Sequence, residues 1–340
     1  MARADGRGHG IRPGTVRLRW SVQTPLAYLA SRYTLGPRSL RWATTAALIV
    51  SIFIVFSGGV VRVTGSGLGC PTWPSCEVGS LTPTPALGIH AIIEFSNRMM
   101  TGVLCVAVGW VVVAARLQKP RNRTMTRLAW SQFWLVVANA VAGGITVLTA
   151  LNPYIVAFHF IMAIALLTTT ALTWHRAHLS ESKAVAIPRI ARVLSYTLLG
   201  VTLVLILVGT LVSGSGPHSG DSADVPRMTF DWQNVTIVHG LLGTATLVLA
   251  ITLLVVLARI PDAVLARRRT IAFIVVVVLQ AGVGLLQSLT GLPDALVAIH
   301  LLGAALVWVG VLRVVLDVNP GLFPTVSLTP GQPARSLSIR

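Results

Sequence analysis

The chain has 340 residues, of which 54% are hydrophobic and 11% charged, with a mean hydropathy of +0.77. A globular domain carries about 25% charged residues, so this composition excludes a soluble enzyme and a disordered chain alike. Lys+Arg 27 against Asp+Glu 10 gives a net charge of +17, but the basic residues lie between apolar runs, which points to membrane topology and not to nucleic acid.

A bilayer core of about 30 Å needs about 20 apolar residues of helix. Eight such stretches follow one another: Trp42–Val61, Ile89–Ala115, Leu128–Ala150, Tyr154–Trp174, Val193–Val212, Val235–Ala258, Ile271–Thr290 and Ala295–Leu316. The predicted fold class is an all-α integral membrane protein. Of the 27 basic residues, 24 fall in the N-terminal tail, the second, fourth and sixth connections, or the C-terminal side. Only Arg62, Arg98 and Arg227 remain for the other side. Because translocating Lys and Arg is disfavoured, both termini are expected in the cytoplasm, with the loops around Cys70 and Asp221 outside. Residues 1–41 read as a basic cytoplasmic tail without the apolar core of a secretory signal. Residues 319–340 read as a disordered cytoplasmic tail.

The sequence repeats itself. Val63-Thr64-Gly65-Ser66-Gly67 after the first span returns 149 positions later as Val212-Ser213-Gly214-Ser215-Gly216. Ala157-Phe158-His159 returns 141 positions later as Ala298-Ile299-His300, and nearly the same offset carries Asn97 onto His239. Each half holds an even number of spans, so the halves are expected to be tandem four-helix bundles, 42–177 and 193–318, related by an axis along the membrane normal. Residues 178–192 are the cytoplasmic linker between them.

Of eight histidines, His9, His175 and His178 fall in cytoplasmic segments and are expected to be solvated, and His218 sits in an unremarkable outer loop. His90, His159, His239 and His300 sit near the outer ends of the even-numbered spans. An ionisable group at that depth is costly and marks function, although a single interhelical hydrogen bond is a common use of such a histidine. His239 and His300 have small neighbours (Gly240, Gly243, Gly303, Ala304) that leave room for a flat macrocycle. Two imidazoles facing across a bundle suit the axial positions of haem iron, whereas zinc needs three or four ligands, and no third is evident.

The first half differs. His159 matches His300, but Asn97, a poor iron ligand, matches His239. His90 lies seven residues before Asn97, about 10 Å along the helix. Glu94 and Arg98 are spaced i, i+4, which suits a local ion pair. Alternatively Arg98 holds an anionic group such as a propionate, and Glu94 serves as acid, base or charge stabiliser. Cys70 and Cys76 flank Pro71-Thr72-Trp73-Pro74-Ser75 in an oxidising compartment, a spacing that allows a loop staple or a redox relay. Cys105 is read as packing within the second span.

The run from Gly58 to Cys76, with Gly65-Ser66-Gly67-Leu68-Gly69-Cys70-Pro71-Thr72-Trp73-Pro74 at its centre, followed by Glu94-Phe95-Ser96-Asn97-Arg98, closely resembles the haem A synthase family, both bacterial and mitochondrial. The resemblance extends through His159, His239 and His300, from about Trp42 to Leu316. It implies oxidation of the C8 methyl of haem O to the formyl of haem A, by successive hydroxylations with water as oxygen source, for cytochrome c oxidase biogenesis. It also implies a haem b cofactor on His239 and His300, and substrate haem in the N-terminal bundle. Glu94 would be essential to the chemistry, and Cys70 and Cys76 would form a disulfide. Where many members of the family have the His of a Glu-x-x-His-Arg pattern this chain has Asn97, so the substrate haem is expected to take His159 with His90 or water opposite, or to be five-coordinate.

The implied partners are haem O, membrane lipid, a haem O synthase as donor and an electron acceptor that the sequence does not identify. The oligomeric state stays open, a homo-oligomer included. The alternative is a non-catalytic di-haem electron carrier linked to quinol, which predicts paired histidines in both halves and gives Glu94 no task. A haem exporter or chaperone, needing no redox-active pair, is a third reading.

Overall fold

The computed structural model describes residues 24–179, 185–218, 220, 221 and 225–322. Most of both tails and five residues of the linker (180–184) lie outside them. Residues 323–340 of the segment expected to be disordered also lie outside, but its start is ordered: Asn319 Nδ2 donates to Ser195 Oγ at 3.0 Å, and Pro320–Leu322 form a 3-10 turn. The described residues are helical, with isolated bridges at Ser66–Asp221 and Glu77–Ser80 and no strand. A short helix α1 (Pro25–Arg32) stands in the segment read from sequence as tail, started by Pro25 at its first position and by Thr24, whose side chain accepts from the Ala27 N–H.

Eight longer helices follow: α2 (Pro37–Val63), α3 (Gly88–Arg116), α4 (Arg123–Leu148), α5 (Pro153–Ala177), α6 (Arg189–Ser215), α7 (Trp232–Ala258), α8 (Val264–Leu289) and α9 (Asp294–Val318). All eight are long and apolar enough to cross a membrane, and the protein is a multi-pass membrane protein. The helices outrun the apolar stretches because prolines and caps set their starts: Pro37 opens α2, and Pro153 opens α5 behind Asn152, whose side chain accepts from the Tyr154 N–H.

In the first half, α2 packs against α3 and α5, and α4 packs against the same two helices. The second half repeats these neighbours, α6 against α7 and α9, and α8 against α7 and α9. The halves meet where α9 lies against α2 and α5, with α5 also touching α6. One apolar core runs through this junction, with Leu48, Val55, Ile164 and Leu167 from the first half and Leu198, Leu253, Phe273, Trp308 and Val311 from the second. The Trp308 Nε1–H donates to Thr168 Oγ1 across it at 2.8 Å. Hydroxyls within the helices donate back to carbonyls of the preceding turn, as Thr202 does to Leu198 at 2.7 Å, so the hydrocarbon region meets few bare polar groups.

One end of the molecule carries the cysteine loop and the connections after α4, α6 and α8; the other carries α1 and the basic connections. At the basic end His175 is buried, with Nδ1 3.9 Å from Asp317 Oδ1, and Arg269 Nε donates to Asp317 Oδ2 at 3.3 Å. His175 is therefore not solvated as its sequence position suggested: the last turn of α5 turns it inward onto α9. His178 stacks on Trp174 at 4.6 Å. Cys105 is exposed on α3 and not packed inside.

Candidate functional site

Four helices bring the candidate ligands toward the cysteine-loop end. His159 lies in the second turn of α5, His239 two turns into α7 and His300 in the second turn of α9. The registers of α5 and α9 are set by matching connections. Ala150 and Leu151 (φ 48° and 57°) precede α5, and Gly291 and Leu292 (φ 77° and 61°) precede α9. Both pairs occupy the left-handed region that non-glycine residues rarely enter. Each leucine stands eight residues before its histidine, so the two tight turns deliver His159 and His300 equivalently.

His239 and His300 face each other with ring centroids 6.2 Å apart and planes at 64°. Two imidazole nitrogens each about 2.0 Å from a shared metal, with each ring centre roughly 1.1 Å behind its nitrogen, would give about 6.2 Å. The rings are therefore spaced for one metal between them. Among the described residues no three His, Cys, Asp or Glu converge as a metal-ion cluster, so the pair fits a macrocycle that brings its own four equatorial ligands better than it fits zinc.

His239, His300 and His159 are each seated against a glycine of the preceding helix. A Cβ at Gly209 would stand 3.1 Å from His239 Cε1, one at Gly284 3.0 Å from His300 Cε1, and one at Gly143 3.2 Å from His159 Cε1. The Nδ1 atoms of all three rings are buried without a hydrogen bond of ordinary geometry, although the main chain at Leu205, Gln280 and Asn139 faces them. Gln280 Nε2 also donates to the His300 carbonyl at 2.7 Å. The sequence reading missed these supports. Gly143 and Gly284, and Asn139 and Gln280, are separated by the same 141 positions as His159 and His300, and that was the available signal.

The first half has no facing pair. Asn97, at the place matching His239, accepts at Oδ1 from Ser57 Oγ at 2.7 Å. His90 is exposed one turn above Glu94, with Nδ1 3.0 Å from Ser66 Oγ. Glu94 is buried at 5% exposure; its Oε2 accepts from the Cys70 N–H at 2.7 Å and its Oε1 from Arg98 Nη2 at 2.6 Å and Nε at 3.1 Å. Arg98 also donates from Nη1 to the carbonyls of Thr72 and Ser75, each at 3.0 Å, and from Nη2 to that of Cys70 at 3.2 Å. Its five N–H donors are all engaged by the protein.

Cys70 and Cys76 form a disulfide, and both are fully buried. The loop they close lays Trp73 over α4, where a Cβ at Gly144 would run into the indole ring. Gly144 thus gives way to Trp73 next to Gly143, which gives way to His159. The cysteine loop, Glu94, Arg98 and the approach to His159 form one connected assembly.

Residues 41–312 match the family described as Cytochrome oxidase assembly protein. The chain is 26% identical over 281 residues to the heme A synthase of Staphylococcus epidermidis strain ATCC 35984, covering 78% of this chain and 91% of that protein. It is 23% identical over 278 residues to the heme A synthase of Staphylococcus saprophyticus, with the same coverage of 78% and 91%. Against the heme A synthase of Lysinibacillus sphaericus it is 34% identical over 127 residues, 36% of this chain and 40% of that one. With four-fifths of its length inside the family match, and with the motif assembly described above, the chain belongs to the haem A synthase family of cytochrome oxidase assembly proteins.

Proposed function

We propose that the protein oxidises the C8 methyl of haem O to the formyl group of haem A and that its halves divide the work. The second half keeps a resident haem b between His239 and His300, and the first half takes the substrate haem on His159. The 6.2 Å separation of the His239 and His300 rings is the observation that carries this reading. The heme A synthases that the chain resembles supply the product.

Overall, a methyl group and one water give a formyl group, four protons and four electrons, through two hydroxylations followed by loss of water. A separate electron acceptor is required. The haem b, when bound, supplies one-electron chemistry.

The protein's own groups then have distinct tasks. His159 holds the substrate by its iron, from a ring fixed against Gly143. Glu94 has accepted three hydrogen bonds, leaving about one of its four acceptor sites to take a proton or to stabilise positive charge developing at the methyl carbon. In a buried site that stabilisation is large. Arg98 holds Glu94 and the loop carbonyls, and with its donors engaged we assign it to positioning and not to a propionate. The Cys70–Cys76 disulfide keeps the Cys70 N–H on Glu94. Asn97 leaves the iron's other side to His90, to water or to nothing.

In a bacterial plasma membrane the distribution of basic residues puts both termini in the cytoplasm and the haem sites near the outer face. Haem O would arrive through the lipid or directly from a haem O synthase.

The test is expression in a host that makes haem O but not haem A, followed by chromatography of extracted haems. Formyl haem is expected. Its absence in membranes holding the folded, haem-loaded protein would favour the electron-carrier reading. Replacing His90 by Ala and recording the spectrum of the substrate-loaded enzyme then decides the second ligand: unchanged ligation and turnover would remove His90.

A further inference from the structure

Three arginines stand on the cysteine-loop side, and Arg98 is saturated by protein acceptors. The other two converge on the end of α6. Arg62, in the last turn of α2, reaches into the second half and donates from Nη2 to the Ser213 carbonyl at 2.6 Å. Arg227 donates from Nη1 to the Gly216 carbonyl at 3.0 Å. Ser213 and Gly216 are three residues apart at the end of α6, so the two guanidinium groups meet the same stretch of main chain. Arg62 Nε is buried and has no hydrogen-bond partner. Two like charges, a partly buried Arg62 with an unused donor and an exposed Arg227 beside it, describe a site for an anion at the edge of the buried region. The Asp221 carboxylate is nearby on the same loop layer, where its Oδ2 accepts from the Leu68 N–H at 3.2 Å.

The place is directly above the histidine pair. Ser213 follows Gly209 by four residues, so it lies on the same face of α6, about 6 Å further toward the loop end. Gly209 is the residue that seats His239. Arg62 is likewise three residues beyond Gly59, whose Cβ would stand 2.8 Å from Leu301 Cδ1, next to His300. His239 is seven residues from the start of α7, about 10 Å from the polar boundary. Ionised carboxylates on a macrocycle at that depth have this boundary as their nearest way out of hydrocarbon.

We propose that Arg62, reaching across from the first half, and Arg227 together bind the propionate carboxylates of the haem held between His239 and His300. This rests on reading that pair as haem ligands. Position 211, which matches Arg62 in the repeat, is Leu, so the contact runs one way: the half that processes substrate completes the pocket of the half that keeps the cofactor. Arg suits the task because its planar fork meets a carboxylate with two parallel hydrogen bonds.

The test is titration of the full-length protein, purified from a haem-deficient host, with protoheme and with protoheme dimethyl ester, following the Soret band. The wild type is expected to bind the free acid about tenfold or more tightly than the ester. Arg62→Gln is expected to lose that preference by weakening binding of the free acid alone, with Arg62→Lys keeping part of it and Arg227→Gln showing a smaller loss. Equal binding of both forms by the wild type, or a preference undiminished in both glutamine variants, would overturn the proposal while leaving the histidine ligands in place. Failure of the wild type to bind either form would overturn the ligand reading itself and this proposal with it. The wild-type comparison decides the matter even if Arg62→Gln does not fold.

Discussion

The two halves share helix neighbours, tight turns and glycine seats, and they part at a few side chains. In the second half two imidazoles face each other, each against a glycine. In the first, His159 keeps its seat on Gly143, but the position matching His239 is Asn97, tied to Ser57, and a disulfide-closed loop is bonded to Glu94 and Arg98 of α3. On the proposed reading, the facing pair of the second half would retain a haem. A pocket with one strong ligand and a buried carboxylate suits a haem that must enter, react and leave. Divergence after duplication thus needed no new scaffold.

That contrast can be broken from either side. The largest expected effect is on the second half: if His300 is one of two haem ligands as proposed, His300→Ala should bring the haem retained, read as pyridine haemochrome per protein, to near zero. Next is Glu94→Gln, which keeps the size of the side chain but removes its charge; turnover should fall by about 10²–10³-fold while resident haem is unchanged. A parallel loss of haem would show that Glu94 is structural. Cys76→Ser opens a six-residue loop and should cost about 2–3 kcal/mol, seen as a lower thermal midpoint, with turnover falling because the Cys70 N–H no longer holds Glu94.

Asn97→His would sharpen the comparison by making the halves alike. It should tighten haem binding in the first half by about tenfold, add a low-spin signal in electron paramagnetic resonance, and slow product release. Smallest is Gly284→Ala, whose Cβ would press on His300 at 3.0 Å. It should cost about 1 kcal/mol and shift the Soret band slightly, whereas the same change at Gly282, with open space around it, should do neither.

The eight spans were legible because hydropathy and charge act along the chain, with no tertiary information needed. The meeting of His239 and His300, 6.2 Å apart between ring centroids, was legible because an ionisable group in an apolar helix has few innocent explanations. What escaped was what depends on a partner brought by folding. Gly209 and Gly284 read as ordinary small residues until the rings they seat are known. Arg98 read equally well as an anion holder until its five donors were counted against the loop carbonyls. His175 looked solvated because its partner, Asp317, is 142 residues away. The helix at Pro25 carried a legible start in Thr24-Pro25, but it is too short and too mixed to stand out from a basic tail.

The division of labour is tested most directly by chromatography of the haems retained and produced by His159→Ala and His300→Ala, purified side by side after exposure to haem O. The account predicts that His159→Ala keeps haem b and makes no haem A, whereas His300→Ala loses haem b and still takes up haem O. Loss of the same pigment from both variants, or haem A production by His159→Ala at the wild-type rate, would contradict it.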